Sequence, residues 1–131
     1  MSSKIRQLEP KAVWNKFADL NAVPRPSKKE ERVIAFMKDF GVSLNLEVIE
    51  DSVGNVIIRK PATTGMEDRK PIVMQSHLDM VHQKNNDTNF DFLTQGIAMH
   101  IEGDWVKAKG TTLGADNGLG VATIMAVLES T

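Results

Sequence analysis

Residues 72–81 read Ile-Val-Met-Gln-Ser-His-Leu-Asp-Met-Val, a mostly apolar run closed by the polar stretch 82–89. It is far too short to cross a membrane. An apolar run of this length between turn-like segments predicts a strand, often a central one covered on both faces. Such a strand cannot fold alone, because each face needs a covering layer. The run also holds a histidine and an aspartate two residues apart. Side chains at i and i+2 of a strand point the same way, so His77 and Asp79 share a face. An imidazole that binds metal usually needs a carboxylate or carbonyl on its second nitrogen to fix its tautomer. One short strand therefore offers a metal ligand together with the group that orients it. The competing reading is a hydrogen-bonded histidine in an ordinary strand.

The flanking sequence supplies the covering layers. Val13, Trp14, Phe17 and Leu20 recur at helical spacing and predict a helix over 9–20, with Pro10 at its start. Pro24 and Pro26 break the pattern. Ser27 and Glu30 read as a capping box for a second helix, whose stripe is Val33, Ile34, Met37 and Phe40 and whose stop is Gly41. Segments 44–50 and 56–60 predict a hairpin around the turn 51–55, and 61–70 is a polar loop. A second hairpin, 97–102 with 105–109, turns at Gly103-Asp104, with Trp105 expected to pack it. The glycine-rich 110–120 then opens an apolar helix from Val121. Strands together with helices place the chain in the α/β class.

Composition removes several functions. The 131 residues suffice for one domain with a real core. Sixteen basic and seventeen acidic residues give a net charge of -1, which carries no nucleic-acid or membrane-surface footprint. The absence of cysteine excludes disulfides, thiolate catalysis and cysteine-based zinc sites. The first ten residues lack the apolar core of a signal peptide, and a cytoplasmic setting fits best. His82, in the polar loop, and His100, in the second hairpin, read as solvated or structural side chains.

The turn Gly114-Ala115-Asp116-Asn117-Gly118-Leu119-Gly120 permits positive φ and close backbone approach. It is a poor phosphate loop, since no Lys-Ser or Lys-Thr follows and Thr123 stands where a dinucleotide loop wants Gly or Ala. Asp116 has two readings. It is a helix N-cap, or a rigidly held carboxylate whose two oxygens can bridge two cations.

Taken together, Ser76-His77-Leu78-Asp79, Gly114-Ala115-Asp116-Asn117-Gly118, Gln83-Lys84-Asn85, Asp104-Trp105-Val106-Lys107-Ala108, Pro24-Arg25-Pro26-Ser27 and Asp51-Ser52-Val53-Gly54-Asn55 resemble the M20 family of dinuclear zinc peptidases. Within that family the likeness is to cytosolic aminoacyl-histidine dipeptidases, and it covers nearly the whole chain. The resemblance implies a three-layer α/β catalytic domain with a mixed central sheet, incomplete in this chain. It implies His77 as ligand to one zinc, Asp116 as the carboxylate bridging both, and Asp79 as the group orienting His77. It implies a cis peptide at Asp116-Asn117, with Gly118 relieving crowding there. The cofactor would be two Zn2+, with Co2+ or Mn2+ as substitutes. The substrates would be dipeptides, preferentially Xaa-His, and the complete enzyme a homodimer.

The family's general-base Glu, the Glu beside it and the remaining ligands would lie beyond Thr131, so residues 1–131 are expected to be the N-terminal part of the catalytic domain and inactive alone. The smaller dimerisation or lid domain would be absent too. Competing readings are an M20-type aminopeptidase or tripeptidase, an N-acyl amino acid amidohydrolase, and a small α/β binding module.

Overall fold

Two helices at opposite ends of the sequence form the spine of the molecule. The computed structural model describes residues 2–131. A short helix α1 (Ser2–Ile5) leads into α2 (Lys11–Asn21), which is followed by α3 (Glu31–Ser43). Strands β1 (Glu47–Glu50) and β2 (Val56–Arg59) form one hairpin, and β3 (Met99–Glu102) and β4 (Trp105–Ala108) form another. The last element is α4 (Ala115–Glu129). It packs on α2, and together they divide the core into two clusters. One gathers Ile5, Phe17, Ala18, Met99 and Ala122; the other gathers Leu20, Val33, Met37, Val121 and Met125. In α2, Phe17 belongs to the first cluster and Leu20 to the second, neighbours on one helix face that meet different parts of the core.

The α/β class holds, with the helices and both hairpins where the periodicity puts them. Several details differ from expectation. Helix α3 runs through Gly41 to Ser43. Gly41 is a contact glycine: a Cβ there would lie 2.5 Å from Val48 Cγ2, so its smallness lets α3 lie on the first hairpin. Ser27 does not cap α3, whose N-cap position is Glu30 and has no side-chain cap bond. Trp105 does not pack its hairpin and is 71% exposed. Helix α4 begins six residues before Val121, within the glycine-rich turn.

The stretch 72–81 is extended but forms no strand ladder. Its one bridge is a parallel pairing of Met80 with Pro26, and the two hairpins are separate two-stranded sheets. A strand assignment needs a hydrogen-bonded neighbour, and among the described residues only the end of the run has one. Ile72 and Val73 stand exposed, and Met74 lines an open apolar groove with Leu119, Thr123 and Ile124 of α4. The pattern of a doubly covered strand is present in the sequence, while the central sheet is not assembled within these residues. No helix is long and apolar enough to cross a membrane among the described residues.

Candidate functional site

The segment Arg25-Pro26-Ser27 lies alongside Leu78-Asp79-Met80. The Met80 amide donates to the Arg25 carbonyl at 3.0 Å, and the Ser27 amide donates to the Met80 carbonyl at 3.2 Å. A residue before proline is driven to extended backbone, so Arg25 and the residues after it are disposed to run beside an extended segment. This pairing fixes the carboxyl end of the 72–81 run, where His77 and Asp79 sit.

His77 and Asp79 are joined as their shared face requires. His77 Nδ1 lies 3.0 Å from the Asp79 carbonyl oxygen and 3.2 Å from Asp79 Oδ1. Both partners are acceptors, so a proton on Nδ1 satisfies them, and in the tautomer that carries it there Nε2 keeps its lone pair. The other carboxylate oxygen, Asp79 Oδ2, accepts a 2.5 Å hydrogen bond from Ser27 Oγ. That bond is the main cause holding the Asp79 carboxyl below the usual carboxylate range; partial burial opposes it and His77 adds to it.

Asp116 comes to the same place from the other end of the chain. Gly114, at the N-cap position of α4, has φ 77° and ψ 20°, a left-handed conformation suited to glycine. Asp116 and Asn117 then depart from helical geometry before α4 settles into a regular helix. The peptide between them is cis, and Ser76 Oγ donates to the Asn117 carbonyl at 3.2 Å. The N-cap reading of Asp116 fails: Gly114 holds that position and no side-chain cap bond is made. The Asp116 side chain is 99% exposed, and Oδ1 lies 3.3 Å from His77 Nε2.

This last approach bears on what the pair can hold. In the tautomer with the proton on Nδ1, the Nε2 lone pair would face the Asp116 carboxylate oxygen. Only a cation relieves that opposition, as a second proton on the ring or as a metal ion shared by both atoms. Two ligands each about 2.0–2.2 Å from a tetrahedral zinc stand roughly 3.4 Å apart, close to the separation here. An imidazole nitrogen and a carboxylate oxygen are also the right donor types for zinc. The two residues thus fit as part of a metal site. They are not a complete one: no group of three or more His, Cys, Asp or Glu side chains is arranged to hold a metal among the described residues.

Sequence reasoning overlooked two residues here. Ser27, read as a helix cap, holds Asp79. Arg25, unremarked beyond its place in a motif, lies buried behind the site. The signal for both was the two prolines that flank Arg25. The other histidines stand apart: His82 is exposed, with its ring edge toward Phe92 at 5.8 Å between centroids, and His100 is exposed on β3. Glu129, the one acidic residue after Asp116, pairs with Lys16 Nζ at 3.0 Å, at the far end of α4 from the turn that holds Asp116.

The mixed helix-and-strand scaffold is one that this chain shares with known peptidases. At 52% identity over 126 residues, the chain matches the cytosol non-specific dipeptidase of Escherichia coli K12, covering 96% of this chain and 26% of that protein. It superimposes on the crystal structure of aminoacylhistidine dipeptidase from Vibrio alginolyticus with a TM-score of 0.95 and 48% identity, over 98% of this chain and 26% of that one. A tripeptidase from Staphylococcus aureus shares the fold at a TM-score of 0.68 and 20% identity, over 93% of this chain and 32% of that one. No protein-family model matches the chain. The chain therefore spans about a quarter of the length of the dipeptidases it matches. The resemblance to dipeptidases drawn from the sequence is borne out by these likenesses.

Proposed function

We propose that residues 1–131 are the N-terminal part of the catalytic domain of a cytoplasmic, zinc-dependent dipeptidase, in which His77 ligates one metal ion and Asp116 bridges two. The observation that carries this reading is the convergence of His77 Nε2 and Asp116 Oδ1 to 3.3 Å, in a chain sharing half its residues with a dipeptidase. The substrates are dipeptides with a free N-terminus, Xaa-His among the preferred. The complete enzyme is a homodimer through a smaller domain outside residues 1–131.

A bound zinc pair supplies a water of lowered pKa and a polarised scissile carbonyl. The chain's own residues prepare that chemistry. Asp79 keeps the proton on His77 Nδ1, so Nε2 stays a donor of its lone pair. Ser27 fixes Asp79 through Oδ2, which leaves Oδ1 for the imidazole. Asp116 presents a carboxylate with both oxygens accessible. The general base is a Glu beyond Thr131, so these residues hold and orient rather than move the reacting proton.

Two outcomes test the reading. The full-length enzyme, offered Xaa-His dipeptides, other dipeptides, tripeptides and N-acyl amino acids, is expected to hydrolyse the dipeptides and to lose that activity on chelation, with recovery on adding Zn2+. Preference for tripeptides or N-acyl substrates would replace the dipeptidase assignment with a neighbouring one. Residues 1–131 alone are expected to show no hydrolysis, and robust turnover by them would refute the proposed placement of the base.

The orienting chain Ser27–Asp79–His77 gives a graded expectation. Groups that orient metal ligands are typically worth about 10–100-fold in metal affinity or activity. Asp79→Ala should cost an amount in that range, and Ser27→Ala less, because it leaves the carboxylate in place. Isothermal titration of the metal-stripped enzyme with Zn2+ checks the order. Equal losses from both substitutions would mean that Ser27, not Asp79, dominates the orientation.

A further inference from the structure

We infer that Arg25 is a positioning residue for the metal site, its guanidinium setting the separation between the His77 segment and the Asp116 turn; this rests on the metal-site reading above. Arg25 is 1% exposed. Its Nη1 donates to the Leu78 carbonyl at 3.1 Å, on the residue between His77 and Asp79. Its Nη2 donates to the Gly114 carbonyl at 3.0 Å, two residues before Asp116, and to Asn21 Oδ1 at 2.7 Å on α2. One rigid, planar group thus ties together the two segments that carry the ligands and anchors both to a core helix.

The surroundings are shaped to admit that group. A Cβ on Gly114 would lie 2.6 Å from Nη2, and one on Gly118 would lie 2.7 Å from it. Both glycines of the turn therefore leave the space the guanidinium occupies. Gly118 has a negative φ and could carry a side chain on conformational grounds, so contact explains it better than backbone freedom.

The tie is also an expensive one if only packing were needed. Among the described residues no carboxylate lies within ion-pair distance of Arg25, and Nε has no partner. Burial pulls the guanidinium down to about 10, with the Asp79 charge opposing that shift, and it remains a cation at neutral pH. An apolar side chain there would avoid burying a charge but would leave the Leu78 carbonyl and Asn21 Oδ1 without their donor. What an apolar side chain cannot do is hold two carbonyls at a fixed spacing through a two-pronged donor. Lysine, a point charge on a flexible stem, does this poorly as well.

The test compares Arg25→Lys, Gly118→Ala and His77→Ala with the parent in the full-length, metal-stripped enzyme. Gly118→Ala displaces the guanidinium without removing it. Each protein is titrated with Co2+, followed by visible absorption, while circular dichroism and thermal melting report the fold. Arg25→Lys and Gly118→Ala are expected to remain folded, to bind Co2+ about 10–100-fold more weakly, the range for groups that orient ligands, and to show altered visible bands. A scaffold role alone would lower the melting temperature and leave the bands of the folded protein unchanged. Parent-like Co2+ affinity and bands in both folded variants would overturn the inference, as would loss of the fold in both. Parent-like Co2+ binding by His77→Ala would instead overturn the metal-site reading beneath it.

Discussion

His77→Ala, made in the full-length enzyme, is expected to remove metal and activity together while leaving the fold in place. The side chain is half exposed and its polar contacts are with Asp79 and Asp116 alone, so its loss opens no core cavity. Exposed substitutions of this kind change stability by about 0.5 kcal/mol or less. On the proposed reading the consequence for the site is much larger, because a ligand would be lost rather than loosened. Loss of orienting groups costs about 10–100-fold, and removal of the ligand itself should exceed that, taking kcat/KM down by more than about 100-fold. Asp116→Ala should match or exceed it, since the bridging role would serve both ions. Its side chain is almost fully exposed, so the same separation of fold from function applies.

The measurement has a thermodynamic arm that needs no substrate. A ligand present at about 100 times its Kd stabilises a protein by roughly 2.7 kcal/mol. The parent enzyme should therefore melt at a higher temperature with Zn2+ than after chelation, and His77→Ala and Asp116→Ala should show little of that difference. Stoichiometric metal and normal turnover in either variant would sink the ligand assignment for that residue.

How far the residues alone reach into this structure depends on whether the information is local. The spacing of Val13, Trp14, Phe17 and Leu20 predicts α2 because a helix repeats its face from nearest neighbours. The turns at 51–55 and at Gly103-Asp104 predict both hairpins for the same reason. The joining of His77 to Asp79 is likewise local, and the strand period suffices to predict it. The meeting with Asp116 is not, since 39 positions separate it from His77; it came only from resemblance to a family.

The failures are of two kinds: places where a tertiary contact overrides a local preference, and places where an expected neighbour is not found among the described residues. Ser27 has the residue type and spacing of a helix cap, yet its hydroxyl goes to Asp79, a charged acceptor that makes a stronger bond. Gly41 looks like a helix stop, and instead serves close contact with β1 and β2. Trp105 looks like a packing residue, and stands in solvent. The run 72–81 has the pattern of a central strand, and a pattern states which faces should be covered without supplying the neighbour that covers them.

The second large effect concerns the core under the site. Phe17→Ala is expected to cost about 3–5 kcal/mol, the usual range for a buried aromatic cut back to alanine. Phe17 is fully buried, packs with Ile5, Ala18, Met99 and Ala122, and meets Trp14 edge to face with ring centroids 6.0 Å apart. It also lies beneath the turn that carries Asp116: a Cβ on Gly118 would sit 3.0 Å from Phe17 Cε1. Cutting the ring away would leave a void bounded by α2 and α4, the two helices that tie both core clusters together. For a chain of this size the loss corresponds to a fall in Tm of about 10–20 °C, a large share of the roughly 5–15 kcal/mol that holds a typical domain folded. Trp105→Ala is the matched control, an aromatic of larger area that is mostly exposed and should shift stability by about 0.5 kcal/mol or less. Thermal melts followed by circular dichroism, on metal-stripped protein so that the site contributes nothing, compare the two. A Phe17→Ala melt within about 2 °C of the parent would mean that α2 and α4 are held together from elsewhere. The first core cluster would then not be what positions the Asp116 turn.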